Sequence, residues 1–388
     1  MAEIREAKGV KAIAFYLPQF YPIPENDRAW GQGFTEWDNV KRARPLFEGH
    51  NQPRKPENGN YYRLTDPAAR RWQEGLAKRH GIFGFCYYHY WFGKGKMLLE
   101  KPAEQMLADA ETDFPFCFSW ANEPWTRKWD GGSGEVIVPQ DYGGAEDWRA
   151  HIEYLLPFFR DARYITLDGR PVLLIYKPEE IPHLEDMLRC WRDAAWRAGF
   201  PGLCLMIQSP SWYFSPAYDP ALFDFQIQFQ PFFAMVWREK NLPLLRISQA
   251  AYRLGLQKIV ERIVSARQKQ RENRTPSQKR LDYDAIWETV LRLPLGCRMI
   301  PCAFPDWDNS PRTRSGYVCL GASPQKFERY VSRLRRKIEK ESPVPLLFLN
   351  AWNEWGEGAY LEPDETNHDA YLRALSRALD RQEGRCSP

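Results

Sequence analysis

Eight short runs of apolar, β-branched or aromatic residues constrain the fold of this chain more than any other feature of its sequence. They cover residues 10–17, 81–88, 114–120, 171–176, 203–207, 223–229, 297–304 and 345–351. Stretches with helical periodicity follow most of them, at residues 66–79, 97–110, 145–159, 181–198, 323–341 and 368–380. No glycine-rich phosphate loop follows a run. The alternation therefore predicts an α/β protein with a (β/α)8 TIM barrel, and an open α/β sheet is the alternative.

The chain shows no internal repeat and no Gly/Ser-rich or Pro-rich linker, so its 388 residues are predicted to form one domain. Residues from about 238 to 292 interrupt the strand–helix rhythm and are predicted to be a basic, helical insertion. Residues 246–292 contain eleven Lys and Arg against five Asp and Glu. Arg267, Lys269, Arg271 and Arg274 are candidates for contact with an anionic lipid or a phosphorylated carrier. A solvated helix face is the alternative.

Charge and motif content exclude several functions. The formal net charge of +4 is too small for a nucleic-acid-binding protein of this length. The six histidines form no HxH or HExxH pattern, so we expect no zinc centre, no other metal and no cofactor. The first nine residues, MAEIREAKG, lack the apolar core of a secretory signal, which favours a cytoplasmic location.

Aromatic and polar residues are concentrated after the predicted strands, where a barrel of this type collects its functional groups. Aromatic residues make up 15% of the chain. Their rings can stack on the C–H faces of sugars while carboxylates and amides bind hydroxyl groups, so we predict a carbohydrate groove; aromatic residues that only close the barrel mouth are the alternative. The candidate binding residues are Tyr16, Gln19, Trp37, His89, Tyr90, Trp91, Trp120, Asn122, Glu123, Trp125, Arg127, Tyr176, Lys177 and Asp306.

The segment after the last predicted strand, NAWNEWGEGAYLEP at residues 350–363, contains two glutamates three residues apart. Gly356 and Gly358 allow a sharp turn, so Glu354 and Glu357 can face one cavity. Burial beside indoles and a like charge nearby raise a carboxyl pKa, which gives two carboxyl groups different proton states. Glycosidic bond cleavage needs such a pair. Glu354 and Glu357 are the candidate catalytic residues, and Asn353, Trp355 and Glu362 join the binding set.

Five segments resemble the WbsX family, whose members are described as glycosyltransferases of lipopolysaccharide or O-antigen biosynthesis. They are AFYLPQFYP (14–22), GFTEW (33–37), FCYYHYWF (85–92), WANEPW (120–125) and WNEWGEG (352–358). The last is also similar to the Asn-Glu-Trp-x-Glu pattern of glycoside hydrolase family 99, the endo-α-mannosidases and endo-α-mannanases, with Gly356 in place of the usual histidine. The resemblance implies a TIM barrel that acts on an oligo- or polysaccharide.

The hydrolase resemblance also implies a retaining mechanism. Glu354 would take the proton of the sugar 2-hydroxyl while Glu357 protonates the departing oxygen, and a 1,2-anhydro sugar would form. This route suits α-mannosides and α-rhamnosides.

Three other functions remain open at this stage. The dipeptide Asn122-Glu123 permits an ordinary double displacement with Glu123 as acid and base. The D-x-D at Asp306 and Asp308 would suit a transferase that binds a divalent cation under a nucleotide diphosphate. A non-catalytic sugar-binding module is the third alternative.

Overall fold

The computed structural model describes residues 1–5, 9–127, 135–208, 218–239, 278–313 and 316–380. Eight strands form its centre: β1 Lys11–Tyr16, β2 Ile82–Trp91, β3 Phe116–Trp120, β4 Arg170–Ile175, β5 Cys204–Ile207, β6 Phe225–Gln228, β7 Met299–Ala303 and β8 Leu346–Leu349. Each strand pairs in parallel with the next one, and β8 pairs with β1. This closed ring confirms the predicted (β/α)8 barrel and excludes the open sheet.

Ten α-helices lie among the described residues: α1 Pro24–Trp30, α2 Glu36–Arg42, α3 Pro67–Arg79, α4 Lys101–Ala108, α5 Ala145–Phe159, α6 Leu184–Arg197, α7 Phe232–Glu239, α8 Tyr283–Arg292, α9 Pro324–Glu341 and α10 Ala370–Leu379. The six helical stretches expected from periodicity correspond to α3, α4, α5, α6, α9 and α10. Helices α1 and α2 are not among the six predicted stretches, because seven residues are too few to show a clear period.

Short elements complete the described structure. The additional strands are Ala2–Glu3, Met97–Leu98, Trp125–Thr126, Val136–Val138, Ile165–Leu167, Lys279–Asp282, Tyr317–Leu320, Asn353–Glu354 and Ala359–Tyr360. The 3-10 helices are Glu57–Gly59, Pro178–Glu180, Pro220–Leu222 and Trp355–Glu357.

The region predicted as an insertion is described only at its two ends. Residues 240–277, which include Arg267, Lys269, Arg271 and Arg274, lie outside the described residues. Helix α8, at the end of the predicted insertion, buries Tyr283, Ile286, Trp287 and Val290 in the hydrophobic core and so packs as part of the barrel. Among the helices that the structure describes, none combines the length and the apolar character needed to cross a bilayer.

Side chains alternate between the barrel interior and the helical layer along each strand. Inside, Phe15 stacks on Tyr88 and Phe348. On the outer face of β2, His89 lies 2.9 Å from the imidazole of His151 on α5, measured between the two Nε2 atoms. Burial lowers the pKa of His89 to about 3 and that of His151 well below its ordinary value. Both imidazoles are therefore neutral in the folded protein near neutral pH.

This pair predicts acid sensitivity. An unfolded histidine binds a proton below about pH 6.5, whereas the buried pair resists protonation, so acid favours the unfolded state. The free energy of unfolding should fall by up to about 1.4 kcal/mol per pH unit for each histidine as the pH drops below 6.5. His151→Gln, which keeps a hydrogen-bonding partner for His89, should be less stable at neutral pH but show a shallower decline. Denaturant unfolding at several pH values measures both slopes.

The exposed His183 gives a matched control, because it lies in a left-handed backbone conformation that asparagine tolerates. His183→Asn should keep the slope of the unsubstituted protein. An unchanged slope in His151→Gln would show that the buried pair is not responsible.

Candidate active site

A cleft of about 110 Å³ opens at the carboxyl ends of the barrel strands. Its lining combines aromatic rings, three carboxylates and one guanidinium. The lining residues are Leu17, Tyr88, Tyr90, Ala121, Glu123, Trp125, Tyr176, Phe229, Phe232, Arg312, Glu354 and Glu357. The structure therefore brings both candidate catalytic residues together with Tyr90, Glu123, Trp125 and Tyr176 from the candidate binding set.

The loop after β8 is fixed to the chain that leaves β1. The side chain of Asn353 accepts a hydrogen bond from the Leu17 backbone N–H at 2.7 Å and donates one to the Leu17 carbonyl at 3.0 Å. A buried amide that satisfies both backbone groups of one residue holds the two segments in a single register. Asn353 therefore positions the loop and does not line the cleft.

Glu354 and Glu357 reach the same side of this loop because a 3-10 turn, Trp355–Glu357, connects them. Gly358 closes the turn with φ of +62°, in the left-handed region that glycine favours. Trp355 points away from the cleft: its indole donates to Glu362 at 2.6 Å and stacks on Tyr360 at 3.8 Å between ring centroids. Trp355 therefore does not lie beside the glutamates in the cleft, where Tyr88, Tyr90 and the phenylalanines form the aromatic lining instead.

Arg312, from the loop after β7, connects three glutamates. Its Nη2 lies 2.8 Å from Glu354, its Nη1 lies 2.8 Å from Glu357, and its Nε donates to Glu36 at 2.8 Å. The exposed fraction of these side chains is 5% for Arg312, 1% for Glu36, 6% for Glu354 and 24% for Glu357. Of the two candidate catalytic groups, Glu357 is thus the more accessible to a molecule in the cleft.

The pKa values of both candidate catalytic carboxyls are raised. Burial raises the pKa of Glu354 to about 8; the charge of Arg312 opposes this, and the charges of Glu357 and Glu36 add to it. Burial likewise raises the pKa of Glu357, with Arg312 opposing and Glu36 adding. The two carboxyls therefore retain a proton between them near neutral pH, which is the condition for acid–base chemistry.

Glu123 lies at the edge of the cleft, 2.6 Å from the ammonium of Lys177. Burial lowers the pKa of Lys177, but the charges and hydrogen bonds of Glu123 and Glu180 together outweigh burial, and the net pKa is raised. Asn122 binds both backbone groups of Lys177, so it holds the loops after β3 and β4 together. Glu123 thus faces the cleft as half of an ion pair.

Three aromatic candidates lie on the outer face of the barrel. Tyr90 faces the cleft, so its neighbours His89 and Trp91 must point to the opposite side of β2. Trp91 stacks on His151 at 4.6 Å, and Trp120, the partner of His89 on β3, contacts His151 and Trp191. The structure does not bring these three to the cleft.

Several further candidate binding residues belong to a buried polar layer beneath the loop that follows β8. The carboxylate of Glu362 accepts hydrogen bonds from Trp355, from Gln73 at 2.7 Å and from Tyr62 at 2.8 Å, and Gln73 in turn accepts from Tyr16 at 2.7 Å. Burial raises the pKa of Glu362 to about 7.

Two further candidates, Trp37 and Gln19, support the same layer. The Trp37 indole donates to the Tyr62 carbonyl at 2.9 Å, and the Gln19 carbonyl accepts from the Glu36 backbone. Tyr16, Gln19, Trp37, Trp355 and Glu362 therefore support the loop from below and do not line the cleft.

Asp306 and Asp308 face a second, polar pocket beside the loop. Arg54 donates to Asp306 at 2.8 Å, while Asp308 accepts from Gln52 at 2.6 Å and lies 2.9 Å from His50. Protein groups thus occupy the oxygens that a cation would need. Within the described part of the chain, no group of three or more His, Cys, Asp or Glu residues is arranged to hold a metal ion.

Arg127, the last of the candidates, lies apart from the cleft lining. Its guanidinium donates to the Ala29 carbonyl at 2.7 Å and pairs with Glu135.

Sequence reasoning missed Glu36, Arg312 and the cleft residues Tyr88, Phe229 and Phe232. Glu36 stands inside GFTEW, and Arg312 follows the D-x-D motif, so both lay beside segments that were singled out. The sequence offered one signal for Glu36, which is that it precedes Trp37, a predicted binding residue. Nothing in the sequence next to Arg312 distinguishes this buried arginine from arginines that are exposed to solvent.

The fold has solved counterparts. The structure of the GH99 endo-α-mannosidase from Bacteroides thetaiotaomicron is similar with a TM-score of 0.51 and 14% identity, covering 95% of this chain and 96% of that one. A structure described as a glycoside hydrolase-like protein gives a TM-score of 0.50 at 14% identity, over 96% of this chain and 95% of that one. At these identities the similarity is one of fold.

Sequence comparison defines the family. The protein WxcX from two strains of Xanthomonas campestris pv. campestris is 36% identical over 384 residues, which cover 97% of this chain and 51% of WxcX. The chain thus spans about half the length of these curated relatives. The family model described as Glycosyltransferase WbsX matches residues 12–375. The chain therefore belongs to the WbsX family.

Proposed function

We propose that this protein is a retaining glycoside hydrolase that acts on α-linked manno- or rhamno-configured glycans. The observation that carries the proposal is the pair Glu354 and Glu357: two carboxyls from one loop face one cleft, both have raised pKa values, and both are held by Arg312 at 2.8 Å. Such a pair can supply one proton donor and one base across a short distance.

In the first step of the proposed reaction, Glu354 takes the proton of the sugar 2-hydroxyl and Glu357 gives its proton to the glycosidic oxygen. The 2-oxygen forms a bond to C1 while the bond from C1 to the leaving oxygen breaks, which leaves a 1,2-anhydro sugar. In the second step Glu357 takes a proton from water and the water oxygen bonds to C1 while the bond from C1 to the 2-oxygen breaks, and Glu354 returns a proton to the 2-oxygen. Both carboxyls end in their original states.

The first step requires that the proton of the pair sits on Glu357. Glu357 is the more exposed of the two, so a bound sugar removes more water from it and raises its pKa further. Glu354, once ionised, is a stronger base than an ordinary carboxylate because burial raises its pKa. Substrate binding therefore favours the distribution that the reaction needs.

The cleft also suits a sugar. Tyr90, Trp125 and Tyr176 present rings beside the carboxylates, and Phe229 and Phe232 add an apolar wall. Aromatic faces contact the C–H faces of a pyranose, while Glu123 is available to a hydroxyl group. The name of the structural neighbour, an endo-α-mannosidase, agrees with manno configuration.

Transfer of a sugar in polysaccharide biosynthesis is the second candidate, and the description of the WbsX family favours it. One experiment distinguishes hydrolysis from transfer. Hydrolysis of α-linked manno- or rhamno-oligosaccharides in the presence of a metal chelator supports the hydrolase. Consumption of a nucleotide sugar only when a sugar acceptor is present supports the transferase.

Glu357→Gln should abolish turnover of unactivated glycosides. The amide is isosteric with the carboxyl but cannot donate the proton, so we expect a loss of at least about 100-fold in kcat. Substrates with activated leaving groups should recover part of the rate. Steady-state kinetics on both substrate types provide the measurement.

Glu123→Gln is the matched control, because it makes the same change in the same cleft. Under the proposed mechanism it should weaken substrate binding but keep a kcat far above that of Glu357→Gln, because Glu123 neither gives nor takes a proton. A loss in Glu123→Gln with near-normal rates in Glu357→Gln would instead identify a double displacement that uses Glu123.

A 2-fluoro glycosyl donor with a good leaving group tests the role of Glu354. Without a 2-hydroxyl the anhydro sugar cannot form, so we expect neither turnover nor a covalent adduct by intact mass. A cyclitol epoxide or aziridine that resembles the anhydro sugar should bind tightly. An adduct on the unsubstituted protein that is absent from Glu354→Gln would establish Glu354 as a nucleophile and overturn the proposed route.

A further inference from the structure

Arg312 and Glu36 form a charged support behind the catalytic pair. Glu36 begins helix α2, whose start is fixed by the Thr35 backbone N–H donating to Asp38 at 2.8 Å. Glu36 is 1% exposed and points at the Nε of Arg312, while the other two nitrogens of Arg312 hold Glu354 and Glu357. The guanidinium thus meets a third carboxylate, on its Nε, in addition to the catalytic pair.

This arrangement has an electrostatic consequence. A buried guanidinium that faced only the two catalytic carboxyls would favour ionisation of both and leave no proton to donate. The charge of Glu36 acts in the opposite direction: it raises the pKa of Glu354 and of Glu357, whereas Arg312 lowers both. Glu36 therefore offsets Arg312 without touching the space where a sugar would lie.

Gly356 provides the room for this support. A Cβ at position 356 would lie 1.7 Å from Oε1 of Glu36 and 2.8 Å from Nε of Arg312. The backbone φ of Gly356 is not in the left-handed region, so the requirement for glycine is one of space. Any side chain at this position must displace the Glu36–Arg312 pair.

We infer that Glu36 is a positioning residue that, through Arg312, keeps one exchangeable proton on the pair of Glu354 and Glu357. The inference rests on the acid and base roles proposed above. It also assigns Gly356 a function: the glycine between the two catalytic glutamates admits the carboxylate that balances their arginine.

Several charged and titratable groups face the pair of Glu354 and Glu357. They are Arg312 from the loop after β7, Glu36 from α2, Glu123 from the loop after β3, Tyr88 and Tyr90 from β2, and Tyr176 from the end of β4. Burial raises the pKa values of the three tyrosines, so they stay neutral across the range in which the carboxyls titrate. The tyrosines therefore do not titrate together with the pair near neutral pH, and Glu362, whose pKa burial raises to about 7, is the buried carboxyl whose signal must be separated from theirs.

Glu36→Gln tests the inference, because it removes the charge and keeps the shape. With Arg312 no longer offset, the pair should lose its proton at lower pH, so the alkaline limb of kcat/KM should move down by about one pH unit. Infrared difference spectra of the protonated carboxyl C=O stretch in the free protein, assigned by its loss in Glu357→Gln and Glu354→Gln, should show the same shift.

Gly356→Ala provides a second route to the same change. Its methyl group pushes Glu36 away from Arg312, so both readouts should move in the same direction as in Glu36→Gln. This variant carries the test if Glu36→Gln does not fold. Glu74→Gln is the control: Glu74 is a buried carboxylate bonded to Thr112 and is not part of the cleft lining, so its loss should leave the midpoint unchanged.

The two readouts separate this inference from the proposed function. A uniform fall in rate at every pH, with an unchanged infrared midpoint in both variants, would overturn the role of Glu36. A shifted infrared midpoint in a protein that hydrolyses no glycoside would support the role of Glu36 and reject the hydrolase. A shift in both readouts supports both.

Discussion

The contact of one buried guanidinium with three carboxylates is the interaction on which the candidate active site depends. Removing charged groups from water costs several kcal/mol for each ion unless partners replace the lost hydration. Arg312 meets a carboxylate on Nε, Nη1 and Nη2, so its own requirement is met. Three carboxylates around one positive charge repel each other unless protons remain among them. Geometry and protonation of the site are therefore set by the same side chain.

The closed barrel explains how residues so distant in sequence come together. Glu36 and Arg312 are separated by 276 positions and Arg312 and Glu354 by 42. Their loops follow β1, β7 and β8, which are neighbours only because β8 closes the ring onto β1. An open sheet would leave β1 and β8 on separate edges. The carboxylate cluster thus depends on ring closure, and Asn353 fixes the loops across the same junction by binding Leu17.

The sequence predicted all eight strands, because each is a compact apolar run between polar segments. It also predicted that Glu354 and Glu357 can face one cavity, because their spacing and the glycines beside them lie within one short segment. It did not predict which side chains reach the cleft where this depends on strand geometry or on contacts between residues distant in the sequence. His89, Tyr90 and Trp91 were all expected to bind substrate, but consecutive residues of a strand face opposite sides, and only Tyr90 lines the cleft. The role of Arg312 could not be predicted from the sequence, since its partners come from other loops.

Under the proposed mechanism, the glutamate pair does not itself choose between water and a sugar as the final acceptor. Either one attacks C1 from the side that the leaving group has vacated, and either one gives its proton to Glu357. The choice must therefore come from groups that hold the acceptor in that space, among them Glu123, which Lys177 fixes at 2.6 Å. A transferase and a hydrolase with this fold can therefore use the same proton transfers. They would differ in the groups that occupy the part of the cleft that receives the acceptor.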